Sequence, residues 1–236
     1  MVQPRACDLT IHDRAELIRH SELGAGLDEN LLARLAASSV AVDYPRRRFV
    51  YRAGDKADAL YTIARGRVKL CLVEPETRRE AVLDILPAGS LFGESALYAE
   101  EKREKCAVAY ENVRLLRIPV GEFRERMTED HRLYDYTFRL VGQRLARAER
   151  RMAEFALDAI PARLDKLLRE LSERYGRTAP EGVLIDLPLP HREIASILGA
   201  TRESVTVRLN HLRRAGIIDI VDRKILIKHG THSAAA

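Results

Sequence analysis

The chain has 236 residues, of which 46% are hydrophobic and 32% charged, with a formal net charge of +5. This composition fits a soluble globular protein of one or two domains and excludes a mainly disordered chain. Apolar runs are only a few residues long, which excludes a membrane-spanning helix.

The charge is unevenly spread. From Ile160 onward there are 13 Lys/Arg against 9 Asp/Glu, and before it 27 against 26, so an anionic partner is expected for the last third. Cys7, Cys71 and Cys106 are odd in number and far apart, and no CxxC pair or disulfide framework is readable. Residues 1–13 lack the apolar stretch of a secretory signal, so a reducing cytoplasm is the expected compartment.

Residues 14–39 read as short helical pieces. Segments 49–51, 59–63, 68–73, 81–86 and 113–118 are rich in β-branched and aromatic residues, and turn signals such as Ala53-Gly54-Asp55 and Arg65-Gly66-Arg67 separate them. Short strands at this spacing predict a small barrel or roll over about residues 40–119. Helix resumes at Val120, and residues 130–159 predict one long helix. There Tyr134, Phe138, Val141, Leu145, Ala148, Met152, Phe155 and Ala159 are spaced alternately four and three apart. Such a helix either packs on its own domain or forms a parallel two-stranded coiled coil. The length, strict period and polar flanks favour the coiled coil, with Phe138, Val141, Leu145, Ala148, Met152 and Phe155 as the dimer interface.

Pro161 marks a boundary and can stand only in the first turn of a helix, here read as 162–175. Residues 176–190 read as loop with one strand at 183–187. Then comes a short helix with Ile194, Ala195 and Leu198 inward, a tight turn at Gly199, and a second helix with Thr201 as N-cap. This is a helix-turn-helix layout, in which the start of the second helix reaches base edges in the major groove. An ordinary pair of packed helices has the same pattern. The flank argues against it, because residues 216–227 read as a hairpin with a charged tip, the order of a winged helix-turn-helix. Candidate DNA contacts are Arg192, Thr201, Arg202, Glu203, Ser204, Thr206, Arg208, Arg223 and Lys224, with Arg213 and Arg214 as further phosphate partners.

Three motifs then stand in order. They are Ala53-Gly54-Asp55 with Gly66-Arg67-Val68, Leu91-Phe92-Gly93-Glu94-Ser95-Ala96-Leu97, and Arg192-Glu193-Ile194-Ala195 with Thr201-Arg202-Glu203-Ser204-Val205. Over roughly residues 20–230 the chain resembles the cyclic-AMP receptor protein/FNR (CRP/FNR) family of bacterial transcription regulators. The resemblance implies an α+β fold with an N-terminal cyclic-nucleotide-binding-like β-roll (a jelly roll, 1–129), a long dimerisation helix (130–159) and a C-terminal winged helix-turn-helix (160–236). It implies a cytoplasmic homodimer on pseudo-palindromic double-stranded promoter DNA, without a membrane, and RNA polymerase as a partner if the protein is an activator. Arg202 and Glu203 match the family's base-reading pair, and Arg can bond guanine while Glu accepts from cytosine. Where the family often has a further base-contacting Arg, this chain has Val207; Arg208 comes one position later, about 100° around the helix.

The resemblance places an effector site at Gly93, Glu94, Ser95, Lys105 and Cys106. The cyclic-AMP binders carry Arg-Ser where Lys105-Cys106 stands, and Lys cannot grip a phosphate bidentately. Their adenine-contacting Thr-Ser falls near Arg147-Ala148-Glu149, where neither residue is present. No cofactor is certain, and cyclic AMP is open but not favoured. The other readings are an anionic effector on Lys102, Arg103 and Lys105, no small effector at all, or redox control through Cys106. Cys7 alone cannot hold the family's iron–sulfur cluster, and His12, His20 and Cys71 sit in no haem-ligand motif, so no metal is expected. No catalytic residues are expected: the carboxylates around Glu94 lack a nucleophile–base partner, and no Walker A, GxGxxG or HExxH is present. A nucleotide-binding module of a kinase or channel would not carry the C-terminal helix-turn-helix.

Overall fold

The computed structural model describes residues 5–24, 27–98 and 102–229. They form two compact units, one ending at Ala146 and the other beginning at Arg147. The division falls inside the longest helix.

The first unit opens with strand β1 (Arg5–Ala6) and helices α1 (Ile11–Arg19) and α2 (Glu29–Ser38). Helix α1 starts earlier than the expected 14 because Thr10 and Asp13 cap it reciprocally: the Asp13 N–H donates to Thr10 Oγ1 at 3.1 Å and the Thr10 N–H to Asp13 Oδ2 at 3.0 Å. The roll follows as β2 (Val40–Tyr44), β3 (Phe49–Tyr51), β4 (Ala59–Arg65), β5 (Val68–Val73), β6 (Glu80–Leu86), β7 (Leu91–Phe92), the short helix α3 (Ser95–Tyr98), β8 (Cys106–Ala109) and β9 (Val113–Pro119). One sheet has the order β1-β2-β9-β4-β7 and the other β3-β8-β5-β6, all antiparallel. Strand β9 lies between β2 and β4, so the end of the roll returns beside its start. The five expected strands are present. Strands β1, β2, β7 and β8 are added; β1 and β7 have two residues each, and β8 is Cys-Ala-Val-Ala with a single β-branched residue. Tyr51, Tyr61, Val68, Leu70, Phe92 and Leu115 are buried in the roll's core. Gly66 turns β4 into β5 at φ +83°, and a Cβ there would lie 2.6 Å from the Asn112 carbonyl oxygen.

Helix α4 (Val120–Glu129) leads into α5 (His131–Leu157). The expected 130–159 is too long at both ends. Asp130 is the C-cap of α4, and Ala159 is the N-cap of α6 (Ile160–Tyr175), so Ala159 leaves the heptad row. Pro161 stands in the first turn of α6, where its missing N–H costs nothing, so that helix starts before 162. Leu133, Thr137 and Leu140 of α5 are buried, and both leucines join a cluster with Ile18, Leu32 and Phe123. The helix packs on its own domain by this face. The heptad row lies on another: Tyr134, Phe138, Leu145 and Met152 are 56%, 72%, 59% and 70% exposed.

The second unit continues with α6, β10 (Gly176–Ala179), β11 (Gly182–Ile185), α7 (His191–Leu198), α8 (Arg202–Arg214), β12 (Ile218–Val221) and β13 (Lys224–Lys228). The single strand expected at 183–187 is instead the second arm of a hairpin and stops at Ile185. The Asp186 N–H donates to the Tyr175 carbonyl and the Leu187 N–H to the Ile185 carbonyl, both at 2.8 Å, so neither continues the ladder with β13. The sheet order is β10-β11-β13-β12. Leu164, Leu168, Ile194, Val205, Leu209 and Ile225 are buried in this unit. Among the described residues no helix is long and apolar enough to cross a membrane.

Candidate nucleic-acid interface

Helix α7 ends at Gly199, whose φ of 58° and ψ of 37° place it in the left-handed region that a residue with a Cβ resists. The Ala200 N–H closes the turn on the Ala195 carbonyl at 3.0 Å. Thr201 caps α8, its Oγ1 accepting from the Ser204 N–H at 3.1 Å. Such a cap contributes about 1 kcal/mol. Here it also sets where Arg202 and Glu203 leave the helix. Val205, Leu209 and Leu212 bury one face of α8, leaving Arg202, Glu203, Arg213 and Arg214 exposed.

The predicted DNA contacts divide into two groups. Arg192, Arg202, Arg213, Arg214 and Arg223 have no ion-pair partner among the described residues. Arg208 donates to Asp165 Oδ2 of α6 at 2.8 Å, and Lys224 stands 2.6 Å from Asp186, which also pairs with Arg177 at 2.6 Å. Thr206 turns inward, its hydroxyl donating to the Arg202 carbonyl at 2.8 Å and lying 2.8 Å from His191 Nδ1. That leaves Nδ1 of His191 as a donor. Burial, and then the charge of Arg202, lower the pKa of His191.

Strands β12 and β13 form the wing, with Ile220 opposite Ile225 and Val221 opposite Lys224. Its two-residue tip, Asp222-Arg223, has positive φ at both positions, 49° and 64°, as a tight hairpin turn requires. The Leu189 N–H donates to the Arg223 carbonyl at 2.7 Å, tying the tip to the segment before α7.

The predicted effector residues converge in the first unit. Gly93, at φ +83°, turns β7 toward Glu94 and Ser95, both buried. The Glu94 carboxylate pairs with Arg144 of α5 and, at 3.1 Å, with Lys105 Nζ. Burial opposes its ionisation, but Arg144 and then Lys105 outweigh burial and hold its pKa at about 2. Arg103 is buried, donates to the carbonyls of Gly93, at 2.9 Å, and Ala59, and lies 4.3 Å over the Tyr51 ring. Cys106 is buried opposite Cys71, and its Sγ accepts from the Ala53 N–H at 3.4 Å. Burial pushes the Cys71 thiol pKa up.

Sequence reasoning did not connect Arg144 with Glu94. The signal was present: Leu133, Thr137, Leu140 and Arg144 repeat at four, three and four, a second row beside the heptad seam. Nor did it see that Arg103 is engaged by backbone carbonyls. A cyclic phosphate fits these side chains poorly. Lys105 is engaged by Glu94, and at the serine position a thiol faces a backbone N–H.

The matching domain families are the cyclic nucleotide-binding domain, over residues 41–130, and the Crp-like helix-turn-helix domain, over residues 162–230. Together with the fold they define a transcription regulator that binds DNA, not an enzyme. The chain belongs to the CRP/FNR family. It is 30% identical over 190 residues to the global nitrogen regulator of Synechocystis sp., covering 80% of this chain and 84% of that one. It is 26% identical over 212 residues to the CRP-like cAMP-activated global transcriptional regulator of Mycobacterium tuberculosis, covering 90% and 94%. The fold is similar to that of the c-di-GMP responsive global regulator CLP of Xanthomonas campestris, with TM-score 0.75, 24% identity and coverage of 85% and 99%. It is also similar to that of FixK2 from Bradyrhizobium japonicum, with TM-score 0.72, 20% identity and coverage of 84% and 99%.

Proposed function

We propose that this regulator acts in the cytoplasm as a homodimer, placing two copies of α8 in successive major grooves of a pseudo-palindromic promoter site. The observation that carries this reading is the Thr201-capped start of α8, which leaves Arg202 and Glu203 exposed beyond a buried Val205-Leu209-Leu212 face. Arg202 bonds guanine O6 and N7, and Glu203 accepts from cytosine N4. Arg192 and the wing-tip Arg223 contact phosphates, and RNA polymerase is the further partner where the protein activates. The heptad row of α5, with Phe138, Val141, Leu145, Ala148 and Met152, forms the dimer seam. Phe155 has a second role within its own unit, where the Arg163 guanidinium lies 4.9 Å over its ring.

DNA binding on this reading does not require cyclic AMP, because Lys105 is engaged by Glu94 and a thiol, Cys106, stands beside it in place of a phosphate-binding hydroxyl. The test is fluorescence anisotropy of a labelled palindromic duplex from upstream of the gene, with and without cyclic AMP. Equal, salt-dependent binding in both arms is expected, with loss of operator discrimination in Arg202→Ala and Glu203→Ala. Tight binding only with the nucleotide overturns the effector-free part. Unchanged discrimination in both variants overturns the assignment of α8.

Redox control is a second reading, favoured by the direct pairing of Cys71 with Cys106 across β5 and β8. Against it, both thiols are buried and burial disfavours the Cys71 thiolate. Peroxide treatment followed by thiol counting and anisotropy separates the two. Loss of two thiols together with a change in DNA affinity favours the redox reading.

A further inference from the structure

We infer that Val207 is a base-reading residue that recognises the C5-methyl group of a thymine in the major groove. This rests on the DNA-reading role proposed for α8. Along a helix each residue turns about 100°. The buried Val205, Leu209 and Leu212 fix the inward face, and the ridge opposite consists of Glu203, Val207, Asn210 and Arg214, spaced four, three and four apart. Val207 is the apolar member of this ridge and is 70% exposed. Isolated apolar residues on a surface are ordinary. This one stands one turn after Glu203 on the same ridge, with polar ridge neighbours on both sides. It is also β-branched, which a solvent-facing helix position does not favour.

The neighbouring arginine does not substitute for it. Arg208 is a further 100° around the helix, and its guanidinium is held 2.8 Å from Asp165 Oδ2. The ridge therefore offers a branched apolar group, not a guanidinium, at this level of the groove. Among the four bases only thymine presents a methyl group in the major groove, and apolar side chains recognise it by contact.

The experiment begins with selection of binding sites by the full-length protein from a random duplex library. A thymine is expected at a fixed position in each half-site, beside the bases that Arg202 and Glu203 read. Replacing that thymine with deoxyuridine removes only the methyl group. Wild type is expected to bind the deoxyuridine half-site about fourfold more weakly, the effect of one buried methyl-sized group. Val207→Ala is expected to bind both duplexes alike, because its side chain no longer reaches the methyl. Equal binding of thymine and deoxyuridine duplexes by wild type overturns the inference and leaves the DNA-reading role standing. Retained discrimination in Val207→Ala assigns the methyl to another group and overturns it as well. If no sequence is enriched at all, the DNA-reading role itself fails.

Discussion

Lys105 places its ammonium 3.1 Å from the carboxylate of Glu94, a side chain buried to 1% exposure. With Arg144 on the other oxygen, the carboxylate is held ionised where water cannot reach it. Breaking such a pair by removing one charge costs about 3–5 kcal/mol, because the partners remain buried and uncompensated. Glu94→Gln is therefore expected to lose about 3 kcal/mol of unfolding free energy at pH 7, measured by urea denaturation. The sign with pH is fixed by the direction of the shift. The folded pKa is depressed to about 2 from 4.5, so the stabilisation is complete above about 4.5 and fades as pH falls toward 2. The gap between wild type and Glu94→Gln should shrink across that window. A gap that stays constant from pH 7 to pH 3 contradicts the assignment.

The exposed row on α5 predicts a dimer that charge can dissociate. Leu145 and Met152 are 59% and 70% exposed, so a charged residue at either position costs within about 0.5 kcal/mol in an isolated chain. In a coiled-coil seam the same substitutions place like charges against each other. Sedimentation should show wild type as a dimer and Leu145→Glu/Met152→Glu as a folded monomer with weak operator binding. A double variant that sediments as a dimer rules out this seam.

Arg208 and Arg192 should behave differently toward DNA although both are arginines near α8. Arg208 is bonded to Asp165, whereas Arg192 is exposed at the start of α7. Each phosphate that a cation neutralises adds about 0.9 to the steepness of log affinity against log salt. Arg192→Gln is expected to lower the slope by about that amount per half-site, and Arg208→Gln to leave it unchanged. A lowered slope for Arg208→Gln means that the ion pair with Asp165 opens on DNA.

Gly199 is constrained in two ways. Its φ is +58°, and a Cβ there would come 3.1 Å from Phe155 Cε1. A left-handed residue with a side chain costs about 1–2 kcal/mol. Gly199→Ala should destabilise by at least that much in urea unfolding, and Gly199→Asn by less of the conformational part, since Asn tolerates this region. An alanine variant as stable as wild type shows that the turn relaxes freely.

Local chemistry made most of the architecture readable. The Thr201 cap, Gly199, the Val205-Leu209-Leu212 spacing and the wing are each decided within a few residues, and each lies where the sequence places it. Strands β7 and β8 are not legible locally, because β7 has two residues and β8 is mostly alanine and cysteine, whereas β3 is Phe-Val-Tyr; pairing with β4, β3 and β5 creates them. The Glu94 site was half legible. Gly93-Glu94-Ser95 and Lys105-Cys106 stand out by resemblance to a family motif, whereas Arg144 lies fifty residues away and was overshadowed by the stronger heptad row. Arg208 and Lys224 show the other limit. Charge counting treats every cation alike, and only the fold reveals that Asp165 and Asp186 already hold these two.

The two aspartates also bear on how quickly the protein finds its target. Asp165 compensates Arg208, and Asp186 compensates Arg177 and Lys224 at close range. Within the helix-turn-helix and the wing tip, Arg192, Arg202, Arg213, Arg214 and Arg223 keep no ion pair among the described residues. These five cations lie on the elements proposed to dock, so their pull on a polyanion helps to orient the domain as it arrives. Capture should then be fast at low ionic strength and slow steeply as salt shortens the reach of that field. Engagement would begin with α8 already turned toward the groove.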